Sequence, residues 1–131
     1  MLIRKKVSVR PGALTDVTAL VAECAEAVPG EGICAVNALN ARAGVLVTDG
    51  SDPRIAADLL ADMERAFPAR GSYRAADGPE RTAAAVRSAV FGAARDLPVE
   101  RGALQLGRDQ RVLLASYADA EEIELAVTLI F

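Results

Sequence analysis

The stretch NALNARAGVLVTDGSDPRIAADLL, residues 37–60, carries two structural signals back to back. Its second half starts a helix. Asp52 offers a carboxylate to the free N–H groups of a first turn, and Pro53 stands at the first helical position, where a missing N–H costs nothing. Ile55, Leu59, Met63 and Phe67 then recur every fourth residue, one apolar stripe on a helix that Pro68 closes. The first half is extended. Apolar runs at 33–39 and 44–49 flank Asn40, Ala41, Arg42 and Ala43, a spacing that suits a hairpin. A hairpin followed by a helix points to an α+β domain.

The flanking sequence extends that pattern. In LIRKKVSVR, Val7 and Val9 fall on one face, and Ser8 and Arg10 on the other, as in a half-buried strand that Pro11-Gly12 ends. Thr15 or Asp16 can cap a helix whose apolar face is Val17, Leu20, Val21, Cys24 and Val28, and Pro29-Gly30 stops it. Residues 69–81 are polar and bear Gly and Pro, which predicts the longest loop. Thr82 can cap an alanine-rich helix running to about Ala94. LPVE, ALQLG, RVLLASY and IELAVTLIF then read as strands joined by RG, RDQ and ADAEE turns. Strand, helix, hairpin, two helices and a run of strands predict one α+β domain over 1–131, with mostly antiparallel pairing.

Composition excludes several function classes. A net charge of −3 argues against a nucleic-acid partner, which demands a basic face. No apolar run approaches the roughly 18 residues of a membrane span, and MLIRKKVSVRPG lacks the apolar block of a signal peptide. A cytoplasmic protein with no membrane partner is the expectation. Cys24 and Cys34 lack C-x-x-C spacing and read as buried, reduced thiols. The chain has no histidine, hence neither the commonest metal ligand nor the usual general base near neutral pH. Ser51, Ser72, Ser88 and Ser116 therefore have no imidazole to activate them.

Two charge clusters remain. Asp49, Asp52, Asp58 and Asp62 could form a hard-cation site. The plainer account makes Asp52 a cap, Asp49 a hairpin end and Asp62 part of a solvated helix face. Arg70, Arg74, Arg81 and Arg87 lie in a segment opposed only by Asp77 and Glu80. Guanidinium forks bind oxyanions, so an anion pocket is one account, and a solvated, salt-bridged loop is the other.

Taken in order, GI at 32–33, DP at 52–53 with Asp58, Tyr73, Gly92, PV at 98–99, Gly102, and LQLG at 104–107 with Gln110 resemble the YjbQ family, often called secondary thiamine-phosphate synthases. The resemblance spans roughly residues 5–130. It implies an antiparallel α+β fold, a homotrimer, and a small-molecule site whose histidines can hold a metal. Where the family has a histidine and two threonines, this chain has Asn40, Ala41 and Arg42. Its further histidines correspond to Ala75 and Ala85, an asparagine to Arg81, and a glutamate to Asp49. A threonine and tryptophan correspond to Arg108 and Asp109, and an acidic-Gly-Pro-Arg turn to residues 118–122.

Alanine has no lone pair for a metal, and asparagine is a weak ligand. Neither a metal nor another cofactor is therefore expected. The resemblance implies a divergent, non-catalytic relative acting by binding an anionic small molecule or by assembly. The vestigial pocket would hold Asn40, Arg42, Asp49, Asp58 and Arg81, with Arg42 or Arg81 paired to Asp49 or Asp58. One alternative is an active thiamine-phosphate-synthase-like enzyme on a phosphorylated small molecule that uses carboxylates and arginines. Another is a structural subunit that co-assembles with a histidine-bearing paralogue.

Overall fold

A computed structural model of the chain describes residues 1–131. Its elements are β1 (Leu2–Ser8), β2 (Ala13–Asp16), α1 (Thr18–Ala25), β3 (Glu31–Ala38), β4 (Ala43–Asp49), α2 (Pro53–Ala66), α3 (Pro79–Phe91), β5 (Ala94–Glu100), β6 (Ala103–Leu104), β7 (Gln110–Ser116) and β8 (Glu122–Ile130). All strand pairs are antiparallel, in sheets ordered β1-β8-β3-β5-β6 and β2-β7-β4. The fold class is α+β, as the order of signals implies.

Burial patterns explain the layering. β1, β3 and β5 bury alternate residues toward one side, as strands covered on one face do. β4 and β7 instead bury continuous runs, Ala43–Leu46 and Val112–Ser116. Their sheet is covered twice. Val45, Val112 and Leu114 join a core with Cys34, Val36, Leu125, Val127 and the apolar face of α1. On the other side, Leu46, Leu113, Ala115 and Tyr117 pack against Met63, Ala84 and Phe91 of α2 and α3.

The expected hairpin across 39–43 does not form. β3 pairs with β5 and β8, whereas β4 pairs with β7, so residues 39–42 carry the chain from one sheet to the other. The cause is β4's apolar content. A strand buried on both faces belongs in the middle layer, and β3, buried on one, belongs in the outer sheet. Gly44 completes that middle layer. A Cβ there would lie 2.8 Å from the Phe91 Cβ and 2.9 Å from the Gly92 carbonyl oxygen, and the Val45 N–H donates to that carbonyl at 2.9 Å.

Helix boundaries also shift. Asp52 caps α2 as expected, its Oδ1 accepting from the Arg54 N–H at 2.9 Å, and Pro53 opens the helix. α1 is shorter than its apolar pattern suggests. Thr15 and Asp16 lie in β2, and Asp16 Oδ1 accepts from the Thr18 N–H at 2.9 Å. α3 starts at Pro79, not after Thr82, and ends at Phe91. Pro79 is a ready first-turn residue, and the glycines on either side, Gly78 and Gly92, take φ of 92° and 91°.

Cys24 and Cys34 are free and buried. Burial pushes Cys34 up to about 11 and raises Cys24 as well, which leaves both as inert thiols at neutral pH. No helix is long and apolar enough to cross a membrane.

Candidate functional site

The crossover between the two sheets builds one wall of a cavity. Asn40 Oδ1 accepts from the Arg42 N–H at 2.8 Å, a local turn in which an asparagine side chain replaces a backbone acceptor. The Arg42 carbonyl accepts from the Tyr117 N–H at 2.9 Å, which ties the crossover to the end of β7. α3 supplies the facing wall with Arg81, Ala84 and Arg87, and the β1–β2 and β7–β8 turns close the rest. The cavity measures about 510 Å³, within the range of small-ligand sites.

Its charges converge from separate elements. Asp77, at the end of the 67–78 connection, accepts from Arg42 Nη2 at 2.7 Å and from Arg81 Nε at 3.0 Å through the same oxygen, Oδ2. The hydrogen bond from Arg81, with the Arg42 contact added, holds the Asp77 carboxyl below the usual carboxylate value. Arg87 Nε donates to the Phe67 carbonyl at 2.9 Å, and its guanidinium lies 5.6 Å from the centre of the Tyr117 ring. Tyr117 stacks on Phe91 with ring centres 6.3 Å apart. Burial raises the Tyr117 pKa above its ordinary value, so the phenol keeps its proton at neutral pH. Two polar atoms on this cavity's residues are buried without a partner: Arg42 Nε and the Tyr117 hydroxyl. Buried polar groups are almost always hydrogen-bonded, and three further unpartnered oxygens, on Tyr73, Thr82 and Ser116, belong to residues that do not line the cavity.

The five residues expected in the pocket divide. Asn40, Arg42 and Arg81 line the cavity. Asp49 does not. It ends β4, accepts from the Ser51 N–H at 2.8 Å, and lines a separate depression of about 250 Å³ with Asp16, Asp52 and Arg111. Asp58 is exposed on α2 and lines neither. The expected pairing of Arg42 or Arg81 with Asp49 or Asp58 is thus corrected: the partner of both arginines is Asp77. The physical reason is distance along the fold. The end of β4 and the exposed side of α2 face away from the crossover, while the start of α3 faces it.

Asp77 and Tyr117 are the residues that sequence reasoning missed. The four-residue step from Asp77 to Arg81 was a usable signal for the first, and Tyr117, at the end of an apolar run, offered none. Among the loop arginines, Arg70 lies 4.3 Å over the Tyr73 ring and stays outside the cavity. The aspartate cluster divides: Asp49 and Asp52 stay beside each other, with Asp52 capping α2, while Asp62 pairs with Arg65 further along the same helix and Asp58 stands apart. No three His, Cys, Asp or Glu side chains gather in a metal-holding group. At the positions where the resemblance places histidines, Asn40 has its oxygen engaged by Arg42, Ala75 is exposed and Ala85 is half-buried. That donor set does not fit a transition metal.

The profile of the family described as UPF0047 protein YjbQ-like matches residues 5–130. Among solved structures, an uncharacterized conserved YjbQ/UPF0047 protein from Clostridium acetobutylicum is 22% identical, with a TM-score of 0.88 over 98% of this chain and 99% of the other. A conserved hypothetical protein from Thermus thermophilus is 27% identical, with a TM-score of 0.87 over 98% of this chain and 99% of that one. A YbjQ-like protein of unknown function from Sulfolobus solfataricus is 21% identical, with a TM-score of 0.88 over 99% and 95% of the two chains. No curated protein matches the chain.

Proposed function

Because the chain belongs to the YjbQ-like UPF0047 family, we propose that it is a non-catalytic, cytoplasmic member that binds a small anionic molecule between Arg42 and Arg81. One observation carries the reading: a 510 Å³ cavity whose own residues leave Arg42 Nε and the Tyr117 hydroxyl buried and unpartnered. Both are donors at neutral pH, so both call for an acceptor. Arg42, Arg81 and Arg87 together have one carboxylate partner, Asp77. Glu80 and Asp119 also line the cavity but pair with none of the three. A ligand oxyanion would meet the Arg42 and Arg81 guanidinium groups, while a hydroxyl or carbonyl further along the ligand would take the Tyr117 proton.

The catalytic alternative has less support. It leans on Asp49 and Asp58, which stand outside this cavity. A homotrimer fits the outer face of the five-stranded sheet. Leu2, Ile33 and Ile130 are exposed there, and Ile33 lies in register between Ile130 and Pro98.

Calorimetric titration with inorganic phosphate, sulfate and a phosphorylated thiamine precursor tests the binding reading. Saturable binding that Arg42→Ala weakens at least tenfold is the expected result. Absence of binding by all three, or turnover of thiamine precursors above a no-enzyme control, would overturn it.

A further inference from the structure

We propose that the Asp77 carboxylate, which holds two of the arginines that line the cavity, is an internal stand-in for the ligand's oxyanion and sets the affinity by competing for those arginines. The inference rests on the anion-binding reading of the same site and adds the geometry and chemical class of the subsite.

The argument begins with one oxygen. Asp77 Oδ2 alone receives Arg42 Nη2 at 2.7 Å and Arg81 Nε at 3.0 Å. These donors come from distant parts of the chain, the crossover before β4 and the first turns of α3. They meet because the fold sets both side chains on the wall of one cavity, and the oxygen they share there is that of Asp77. Asp77 itself is held loosely. Its side chain is 50% exposed, and Gly78, at φ 92° with open space around it, links it to α3. Nothing buries the carboxylate in place. Two exposed pairs are a weak restraint.

The Asp77 contact is also incomplete. It engages Nη2 of Arg42 and leaves Nε of the same guanidinium buried and bare. Guanidinium groups bind best through two parallel N–H donors, and phosphate has oxygens enough to meet both while keeping a third on Arg81. A tetrahedral oxyanion therefore satisfies this corner better than the aspartate does. That difference lets ligand displace Asp77 into solvent, where its carboxylate is well hydrated. A phosphomonoester or sulfate-like group is the class the subsite takes. A planar carboxylate gains less, since it has no third oxygen.

The test compares phosphate affinity, at constant ionic strength and pH 7.5, for the full chain and for Asp77→Asn. The amide keeps the shape and an acceptor oxygen but removes the negative charge that pairs with the arginines. Tightening of about two- to thirty-fold is expected, the range that two exposed ion pairs span. Asp58→Asn, which removes one negative charge from a residue that pairs with neither Arg42 nor Arg81, is expected to change affinity by less than about twofold. If wild type binds, and Asp77→Asn binds no tighter or tightens only as much as Asp58→Asn, the stand-in is refuted while the anion-binding reading survives. If neither wild type nor Asp77→Asn binds phosphate, sulfate or the phosphorylated thiamine precursor, the anion-binding reading falls and the stand-in falls with it. Asp77→Ala repeats the comparison should the amide form a new hydrogen bond to Arg81. A thermal melt of each variant confirms that all are folded.

Discussion

Replacing Gly44 by alanine should loosen the seat of α3 and, through it, the cavity. The added Cβ would lie 2.8 Å from the Phe91 Cβ, 2.9 Å from the Gly92 carbonyl oxygen and 3.1 Å from the Ser88 carbonyl oxygen. Two of these three are backbone atoms, so no side-chain rotation relieves the clash and the end of α3 must move away from β4. Overpacking of this kind costs about 1–3 kcal/mol. In a chain of 131 residues, each kcal/mol lowers Tm by roughly 3–5 °C, for a total fall of about 3–15 °C. The displacement should break the bond from the Val45 N–H to the Gly92 carbonyl. It should also shift Arg81 and Arg87 relative to Arg42, which is fixed to the crossover. Calorimetric melts of wild type and Gly44→Ala measure the first effect, and phosphate titration the second. A Tm within about 1 °C of wild type, with unchanged phosphate affinity, would refute the claim that this close approach positions the site.

Asp16→Ala should destabilise the fold by about 1 kcal/mol or less at pH 7, discounted because the side chain is 45% exposed. Burial raises the Asp16 pKa, but hydrogen bonds from Thr18 and the contact with Arg111 outweigh it and bring it below 3.8. The unfolded state therefore binds the proton more tightly, the contribution is full above that value, and it fades as pH falls through the folded pKa. The Tm gap between wild type and variant should be larger at pH 7 than at pH 3; an equal gap would count against this account. Sedimentation velocity at micromolar concentration should give a trimer, and Ile33→Glu, placed mid-row on the outer sheet face, should shift it toward monomer. A monomeric wild type would remove the assembly reading.

How much of this was legible in the sequence depends on how local the physics is. The α2 start was fully readable, because capping by Asp52 and the role of Pro53 are settled within three residues. Strand and helix types followed from periodicity for the same reason. Local misses were small, with Thr15 and Asp16 in β2 and α3 opening at Pro79; the larger failure was long-range. The runs at 33–39 and 44–49 look like hairpin arms at short range, but the double-sided burial of Ala43–Leu46 sends them to different sheets. That same feature makes the site. A hairpin would have kept residues 39–42 at the edge of one sheet. A crossover instead carries Arg42 past the end of β7, where the Tyr117 N–H meets its carbonyl and Asp77, just before α3, meets its guanidinium. Arg42 and Arg81 could be nominated from residue type alone, since both bring a charge to positions where the family resemblance expects small polar side chains. Their common partner could not, because Asp77 reaches Arg42 across 35 residues of chain. A charge delivered into a partly closed cleft finds the carboxylate that the fold brings to it. Here that carboxylate sits on an exposed connection, which is what the proposed displacement by an external anion requires.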